Sequence, residues 1–256
     1  MNKTKIDWAD MTWNPVTGCL HGCEYCYARK IANRFGNKYF QYGLDINELD
    51  EQLDGEKGKD PYPFGFLPTF HRYRLDEPSK IKKPQNIFVC SMADLFGDWV
   101  PDEWIKDVFK ACEAATQHRY LFLTKNPKAY KKDPVYSNCQ VSYKNNWWFG
   151  ASITGSEKKD DIAGTMIGLA YCENSFLSIE PIHQEITLPE GVCLPKWIIV
   201  GSETGNRKDK PVVCKWWIDK LVHMCRQYGI PVFMKESLRS LMGADFKQEF
   251  PWGVKT

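Results

Sequence analysis

The amino-acid sequence predicts an α/β protein that is built on a parallel sheet. Several short apolar runs are each followed by turn residues and, in most cases, by a segment with helical spacing. The runs are continuous rather than alternating, which is typical of strands that are covered on both faces. This pattern leaves an open or closed α/β barrel or a doubly wound sheet as the predicted architecture.

The predicted strands follow one another at intervals along the whole chain. A weaker candidate, MTWNPV, comes first, near the amino terminus. The six stronger runs are NIFVCS (86–91), RYLFLT (119–124), WWFGASI (147–153), SFLSIE (175–180), WIIVGS (197–202) and PVFMK (231–235). Helices are predicted between them. One begins after Pro101, and another ends near Gly229, because glycine favours a helix end and Pro231 blocks continuation.

The segment at about 37–84 breaks this alternation. It is rich in Gly, Pro, Asp and aromatic residues, and it contains the turn-prone stretch DGEKGKDPYPFGFLP. Since 256 residues suit one large domain, we interpret 1–256 as a single domain with an inserted excursion. Within the excursion, His71, Arg72 and Arg74 alternate with aromatic residues, a pattern that suits a phosphate clamp and base stacking on a substrate. The alternative is a solvated turn packed by its own rings.

Composition and charge exclude few classes of protein. The formal net charge of +2 creates no global field that would demand nucleic acid or an acidic membrane, although a local basic groove is compatible with it. The amino terminus lacks the apolar core of a signal peptide, and no later stretch has the roughly 18 apolar residues of a membrane span. We therefore expect a cytoplasmic protein with no membrane partner, whose ten cysteines serve as metal ligands or buried thiols rather than disulfides.

Three of these cysteines lie close together near the amino terminus. Cys19, Cys23 and Cys26 occupy a predicted loop that runs into a helix ending near Gly36. Iron-sulfur clusters are held by thiolates, and four cysteines normally satisfy four irons, so three ligands leave one iron with an exchangeable position. The alternatives are a Cys3His zinc site that adds His21, which such short spacing disfavours, and incidental buried thiols.

The spacing C-x3-C-x2-C, with Tyr25 just before the last cysteine, resembles the radical S-adenosylmethionine superfamily. The opening TWNPVTGC and the stretch SMADLFG are most similar to an uncharacterised phage-associated branch of it. The resemblance implies a partial, TIM-like (β/α)6-type barrel of parallel strands, with a seventh strand if MTWNPV forms one. It also implies a [4Fe-4S] cluster on Cys19, Cys23 and Cys26, S-adenosylmethionine on the open iron, and an external one-electron reductant such as flavodoxin or ferredoxin.

Polar residues stand at the ends of the predicted strands, where barrel enzymes place their chemistry. Lys125 and Glu203 are candidate catalytic residues at these ends. Cys90, next to the end of a strand, is a candidate hydrogen donor to a substrate radical, and its alternative role is that of a small buried hydrophobe. With the resemblance, the cofactor-binding candidates are Tyr25, Ser91, Asp94, Ser152 and Glu180.

The resemblance implies different parts of S-adenosylmethionine for these candidates. Ser152 is expected at the ribose, and Glu180 at the methionine or ribose end. Ser91 and Asp94 stand where the superfamily usually has Gly-Gly-Glu, so either is a candidate acceptor from the ammonium group. The glycine-rich pattern of the superfamily's fifth strand is missing from SFLSIEP.

These observations predict an enzyme that cleaves S-adenosylmethionine to a 5′-deoxyadenosyl radical. The arginines and aromatic residues of the excursion, together with the phage-like resemblance, favour a nucleic-acid base or nucleotide as substrate. A peptide or small metabolite is the alternative substrate. A non-catalytic binding module, whose amino-terminal loop is stabilised by zinc or a cluster, is the alternative from a different class.

Overall fold

Strands and helices alternate along most of the chain in a computed structural model, which describes residues 1–36, 39, 42–55, 58–131 and 145–253. In chain order the strands are β1 (Asn2–Lys3), β2 (Met11–Trp13), β3 (Val16–Thr17), β4 (Asn47–Leu49), β5 (Asp54–Gly55), β6 (Gly58–Lys59), β7 (Thr69–His71), β8 (Asn86–Val89), β9 (Arg119–Thr124), β10 (Trp147–Ile153), β11 (Ser175–Ile179), β12 (Trp197–Val200) and β13 (Val232–Met234). The α-helices are α1 (Tyr27–Phe35), α2 (Asp102–Glu113), α3 (Lys159–Leu169), α4 (Lys215–Gln227) and α5 (Arg239–Met242).

One large sheet organises these elements, in the order β1-β2-β8-β9-β10-β11-β12-β13. The pairs from β2 to β13 are parallel, and only β1 is antiparallel to its neighbour. The predicted α/β fold with a parallel sheet is therefore confirmed. All six strong apolar runs form strands, and the weaker amino-terminal candidate contributes β2.

The large sheet is curved around the side chain of Trp8. The ring of Trp8 lies 4.6 Å from that of Phe88 on β8 and 6.5 Å from that of Trp197 on β12. These two strands are four positions apart in the sheet, which would separate them by about 19 Å if the sheet were flat. The sheet therefore bends so that one face, here called the inner face, surrounds Trp8. The inner-face cluster consists of Trp8, Ala9, Phe88, Leu121, Trp148, Phe176, Trp197, Ile199 and Phe233.

Helices cover the opposite, outer face of the sheet. The three-to-four spacing of apolar residues in α2 predicts one buried stripe, and the structure buries Trp104, Ile105, Val108, Phe109 and Cys112. Each large apolar side chain buried in this way contributes about 1.5–3 kcal/mol. In the described part of the chain, no helix has both the length and the apolar character needed to cross a membrane.

The excursion folds back onto the segment that follows β2. Its strands β4 and β7 form a small sheet with β3, in the order β3-β7-β4, and β5 pairs with β6 as a separate hairpin. The excursion prediction extends over residues 37, 38, 40, 41, 56 and 57, which lie outside the described residues. Through the small sheet, the excursion is attached directly to the chain that leads into the cysteine loop.

A glycine on β10 accommodates the packing of the inner face. A Cβ atom at Gly150 would lie 2.3 Å from Cζ of Phe176, its partner in the register with β11. We expect Gly150→Ala to lower the free energy of unfolding by about 1–3 kcal/mol, because the fully buried ring of Phe176 would have to shift to make room for the methyl group. Urea denaturation measures this change.

Gly164 provides the matched control for this substitution. It lies in α3, and a Cβ atom there would meet nothing within 4 Å. We expect Gly164→Ala to raise the free energy of unfolding by about 0.5–1 kcal/mol, since alanine is the better helix former. Equal effects of the two substitutions would contradict the packing described for Gly150.

Candidate active site

A cavity of about 240 Å³ opens at the carboxyl ends of the parallel strands. Its lining joins the cysteine loop to residues at or just beyond the carboxyl ends of β8, β9, β10, β11, β12 and β13. Residues proposed from the sequence that the structure brings together here are Cys19, Cys23, Tyr25, Cys26, Ser91, Asp94, Lys125, Ser152, Glu180 and Glu203. The three cysteines therefore lie at the same end of the sheet as the polar strand ends.

The cysteine loop is held against the end of β8 by its backbone. Gly18 donates its N–H to the carbonyl oxygen of Met92 at 2.9 Å, and Cys19 donates to that of Phe66 at 3.2 Å. Gly18 has a φ of +86°, and a Cβ atom there would lie 2.1 Å from the carbonyl oxygen of Leu67. Only glycine fits both conditions, so the approach of the loop to its neighbours depends on this residue.

The last cysteine of the motif begins the helix that the sequence predicts. Cys26 is the N-cap of α1, and its Sγ accepts a hydrogen bond from the backbone N–H of Arg29 at 3.3 Å. The helix ends at Phe35 with Gly36 as its C-cap, close to the predicted end. A thiolate at this position is stabilised by the positive end of the helix dipole.

The three thiols suit a cluster better than a single metal ion. In the described parts of the chain, no three His, Cys, Asp or Glu side chains converge closely enough to hold one ion. His21 is directed to Asp94 instead, with 2.7 Å between Nε2 and Oδ2. This contact directs His21 away from a Cys3His zinc site, whereas in a four-iron cluster each thiolate binds its own iron and the sulfurs need not meet at one point.

The electrostatics of Cys19 agree with a cationic ligand. Burial is the main cause that raises the pKa of the Cys19 thiol to about 12, and the nearby Asp94, Cys23 and Cys26 contribute to the same rise. A buried thiol of this kind stays neutral unless a metal cation displaces its proton. The donor set therefore fits an iron-sulfur cluster.

Asp94 connects the cysteine loop to the ends of β8 and β9. Its Oδ1 accepts from Thr124 Oγ1 at 2.7 Å and from the N–H of Phe96 at 3.0 Å. Its Oδ2 accepts from the N–H of Lys125 at 2.9 Å and lies beside His21. These four contacts match the roughly four acceptor sites of a carboxylate. Asp94 thus holds the walls of the cavity together, and a contact to a cofactor ammonium would have to replace one of these donors.

Lys125 joins two further residues proposed from the sequence. Its Nζ donates to the hydroxyl of Tyr25 at 2.8 Å and to Ser152 Oγ at 3.4 Å. Burial acts to lower the pKa of Lys125, but the Tyr25 oxygen and the Cys23 sulfur outweigh it and raise the pKa above its usual value. The buried ammonium therefore stays charged beside the cysteine loop.

The two glutamates of the cavity wall are each paired with a cation. Glu180 accepts from Lys235 Nζ, and Glu203 accepts from Arg207 through both carboxylate oxygens, at 2.8 and 2.7 Å. Hydrogen bonding to Arg207 lowers the pKa of Glu203 below its usual value. Each carboxylate is therefore held in a fixed position by its cationic partner.

Ser91 lies in the cavity wall and is held by residues that the sequence analysis did not select. Its Oγ donates to Asn14 Oδ1 at 3.2 Å, and its carbonyl oxygen accepts from the hydroxyl of Tyr27 at 2.7 Å. Asn14 belongs to the TWNPVTGC stretch, so the resemblance pointed to that segment without indicating a role. Tyr27 directly follows the last cysteine and gave no separate signal.

Trp8, Ser178 and Lys235 also line the cavity but were absent from the predicted site. Ser178 interrupts an otherwise apolar run, and such an interruption is a weak sequence signal of a functional residue. Lys235 stands at the end of the last predicted strand, and the same rule that selected Glu180 applies to it. Trp8 precedes MTWNPV, the first predicted strand, so a rule that selects residues at the ends of strands does not find it.

Cys90 is not brought to the cavity. Its side chain is 3% exposed and belongs to the outer-face core, together with Trp13 and Cys112. Its backbone has a φ of 57°, and its N–H donates to the carbonyl oxygen of Trp13. This position supports the role of a small buried hydrophobe rather than that of a hydrogen donor.

The charged residues of the excursion also lie outside the cavity lining. His71 is fully buried and shares a hydrogen bond with Thr17 Oγ1 at 2.9 Å. Arg72 is bound to Glu48 at 2.7 Å, and Arg74 donates to a backbone carbonyl at 2.9 Å. These contacts are internal, so they support the alternative of a packed turn rather than a substrate clamp.

Comparison with known proteins places the chain in a family. Residues 3–239 match the model of a family described as "Protein of unknown function (DUF5131)". The chain belongs to the DUF5131 family. No curated protein matches this DUF5131 protein.

Solved structures similar to this DUF5131 protein include several of spore photoproduct lyase. One complex with dinucleoside spore photoproduct has a TM-score of 0.56 and 13% identity, over 91% of this chain and 79% of the other. A variant with bound AdoMet and dinucleoside spore photoproduct has a TM-score of 0.55 and 11% identity, over 90% of this chain and 78% of the other. At this identity, the likeness concerns the fold.

The tight approach of Gly18 gives a testable prediction. We expect Gly18→Ala to lower the free energy of unfolding by about 2–4 kcal/mol, because the new Cβ is strained by the positive φ and overlaps the backbone of Leu67. Gly22 is the matched control, since its φ is +73° but nothing lies within 4 Å of a Cβ there. Gly22→Ala should cost about 1–2 kcal/mol. Equal losses in urea denaturation of the cluster-free protein would contradict the close packing at Gly18.

Proposed function

We propose that this DUF5131 protein is a radical S-adenosylmethionine enzyme. The observation that carries the proposal is the cavity shared by the three-cysteine loop and the carboxyl ends of the parallel strands. The fold similarity supports it, because spore photoproduct lyase is a radical S-adenosylmethionine enzyme. We regard the open, curved sheet as the partial barrel of that superfamily.

Cys19, Cys23 and Cys26 would hold the [4Fe-4S] cluster, and S-adenosylmethionine would occupy the adjoining part of the cavity. When bound, the cluster supplies one electron, from a carrier such as flavodoxin or ferredoxin, that breaks a C–S bond of the sulfonium to give methionine and a 5′-deoxyadenosyl radical. The side chains of this protein bind S-adenosylmethionine and orient it. We assign the ribose to Ser152, and the methionine end to Glu180 and to Ser91 or Asp94.

Lys125 and Tyr25 shape the space between the cysteine loop and the strand ends. The ammonium of Lys125 lies 5.3 Å from the centroid of the Tyr25 ring, in addition to its hydrogen bond to the hydroxyl. The ring of His183 packs against that of Tyr25 in a T-shaped arrangement, with 5.6 Å between the centroids. Tyr25 is therefore held in place by Lys125 and His183, which suits a wall for a bound nucleoside.

We propose a nucleic-acid base or nucleotide as the substrate. A neighbour with the same fold binds a dinucleoside photoproduct, and the cavity of this chain reaches the aromatic side chains of Trp8 and Phe88. Aromatic rings of this kind stack on bases. The excursion arginines play no part in this proposal.

Cys23→Ala is the variant that tests the proposed cluster. Anaerobically purified wild-type protein should be brown and contain about four irons per chain, and dithionite plus S-adenosylmethionine should yield 5′-deoxyadenosine. The variant should lose the iron, the colour and the product, because only two of the three cysteine ligands of the cluster remain. Iron analysis, absorption spectra and chromatography of 5′-deoxyadenosine measure these changes.

Cys193 supplies the matched control. It is an exposed cysteine that lies outside the cavity lining, so Cys193→Ala should keep the iron and the product. A colourless wild-type protein with one zinc would support the binding module instead. Reconstituted protein that forms no 5′-deoxyadenosine would refute the enzyme.

The charge of Lys125 gives a second prediction. We expect Lys125→Gln to make the cluster harder to reduce, because a nearby cation stabilises the added electron. A tenfold change in the reduction equilibrium corresponds to about 59 mV for one electron, and we expect a shift of about this size toward negative potential. A titration monitored by electron paramagnetic resonance measures it. Lys125→Arg keeps the charge and should shift the potential less, and identical potentials in all three proteins would refute this role of Lys125.

A further inference from the structure

The hydroxyl of Ser178 is buried at the cavity without a partner. The side chain of Ser178 is fully buried and lines the cavity, and within the described residues its Oγ makes no hydrogen bond. An unsatisfied buried hydroxyl destabilises a folded protein, and native proteins leave few of them without a partner or a bound group. The position therefore indicates a ligand group that the hydroxyl meets.

The alternation of β11 directs this hydroxyl to the inner face. Leu177 and Ile179 belong to the outer-face core, whereas Phe176 belongs to the inner-face cluster. Because successive side chains of a strand point to opposite faces, Ser178 lies on the inner face with Phe176. Its register partner on β10 is Ser152, which also lines the cavity.

Trp8 also lines the cavity and adds a second polar atom without a partner among the described residues. Its Nε1 is buried and makes no hydrogen bond to any described residue, and its ring packs against Phe88. An indole N–H only donates, so the matching ligand atom is an acceptor such as a carbonyl oxygen. We call Trp8, Phe88 and Ser178 the floor of the cavity.

The floor lies deeper in the sheet than the cysteine loop. That loop is hydrogen-bonded to Met92, beyond the carboxyl end of β8, whereas Phe88 and Ser178 lie within β8 and β11. A cofactor held by the cysteines and the strand ends therefore lies above the floor. The deeper part of the cavity is left for the molecule on which a radical acts.

We propose that the floor is the substrate subsite, and that it binds a nucleobase that carries a ring carbonyl. The ring of Phe88 contacts a face of the base, while the Ser178 hydroxyl and the in-plane N–H of Trp8 hold its polar edge. The inference rests on the proposed function, because it assigns the substrate of that same site. Pyrimidine bases with two ring carbonyls, as in thymidine and uridine, fit this description.

The test measures nucleoside binding without any reductant. Cluster-reconstituted protein with S-adenosylmethionine is titrated with thymidine, uridine and the 2,4-difluorotoluene isostere of thymidine, which has the same shape but lacks the carbonyl acceptors. Calorimetry or ligand-observed nuclear magnetic resonance gives the affinities. We expect wild-type protein to prefer thymidine and uridine to the isostere by about tenfold, which is the size of one net hydrogen bond.

Ser178→Ala and Trp8→Phe should each reduce this preference, because each removes one of the two donors. Since the Ser178 hydroxyl has no partner among the residues that the structure describes, its removal should leave the melting temperature equal to or above that of the wild type. The stabilisation that thymidine gives the wild type should be lost at the same time. Ser175→Ala is the matched control, because Ser175 lies on the same strand with its side chain on the outer side, and it should keep the preference.

Four results would overturn the assignment. They are the absence of measurable thymidine and uridine binding, equal binding of the isostere to the wild type, a clear fall in the melting temperature of unliganded Ser178→Ala, and weaker S-adenosylmethionine binding in that variant with thymidine binding unchanged. The last result would show that the Ser178 hydroxyl binds the cofactor instead of the substrate. Formation of 5′-deoxyadenosine is measured separately, so a wrong subsite is distinguished from a wrong reaction.

Discussion

The buried carboxylate of Asp94 fixes the geometry on which the candidate site depends. It receives hydrogen bonds from Thr124 at the end of β9, from the backbone of Lys125 just after that strand and from its own loop after β8, and it is paired with His21 in the cysteine loop. These segments are distant in sequence, and a single carboxylate with well-placed donors holds them together because a buried polar group without partners would be costly. Together with the backbone hydrogen bonds of Gly18 and Cys19, this group sets the position of the three cysteines relative to the strand ends.

The inner and outer faces of the sheet serve different purposes. The outer face carries the larger core under the helices, which stabilises the fold, whereas the inner face combines an aromatic cluster with a polar rim. On that rim, Glu180 and Glu203 each have a cation as partner. Lys125 contacts two hydroxyl groups instead. Its charge is available to a neighbouring anion, which explains why we associate it with the cluster.

Much of the fold could be predicted from the sequence, because its signals are local. A strand covered on both faces is a continuous apolar run, and WWFGASI coincides with β10 from end to end. The cysteine motif could be recognised equally well from the sequence, since its three cysteines lie within eight residues. The meeting of Lys125 with Tyr25 was not visible, because they are a hundred positions apart and meet only when the sheet curves.

The same limit explains where sequence reasoning failed. Arg72 looked available for a phosphate, but its carboxylate partners Glu48 and Asp107 come from other segments of the chain. Cys90 looked close to the strand end, but the residue after β8 adopts a positive φ and its side chain joins the outer-face core. Neighbouring residues in the sequence do not show which residue will pair with a charged side chain. They also do not show on which face of the sheet a side chain at a strand end will lie.

The absence of a side chain at Gly150 has a consequence for the size of the cavity. The ring of Phe176 occupies the space next to this glycine. The next inner-face pair along the same two strands is Ser152 on β10 and Ser178 on β11. A bulkier residue on β10 would push the ring up toward those hydroxyls and make the chamber shallower. The dimensions of a guest molecule are thus governed in part by a position that never touches it, and relatives with different residues there would admit molecules of different thickness.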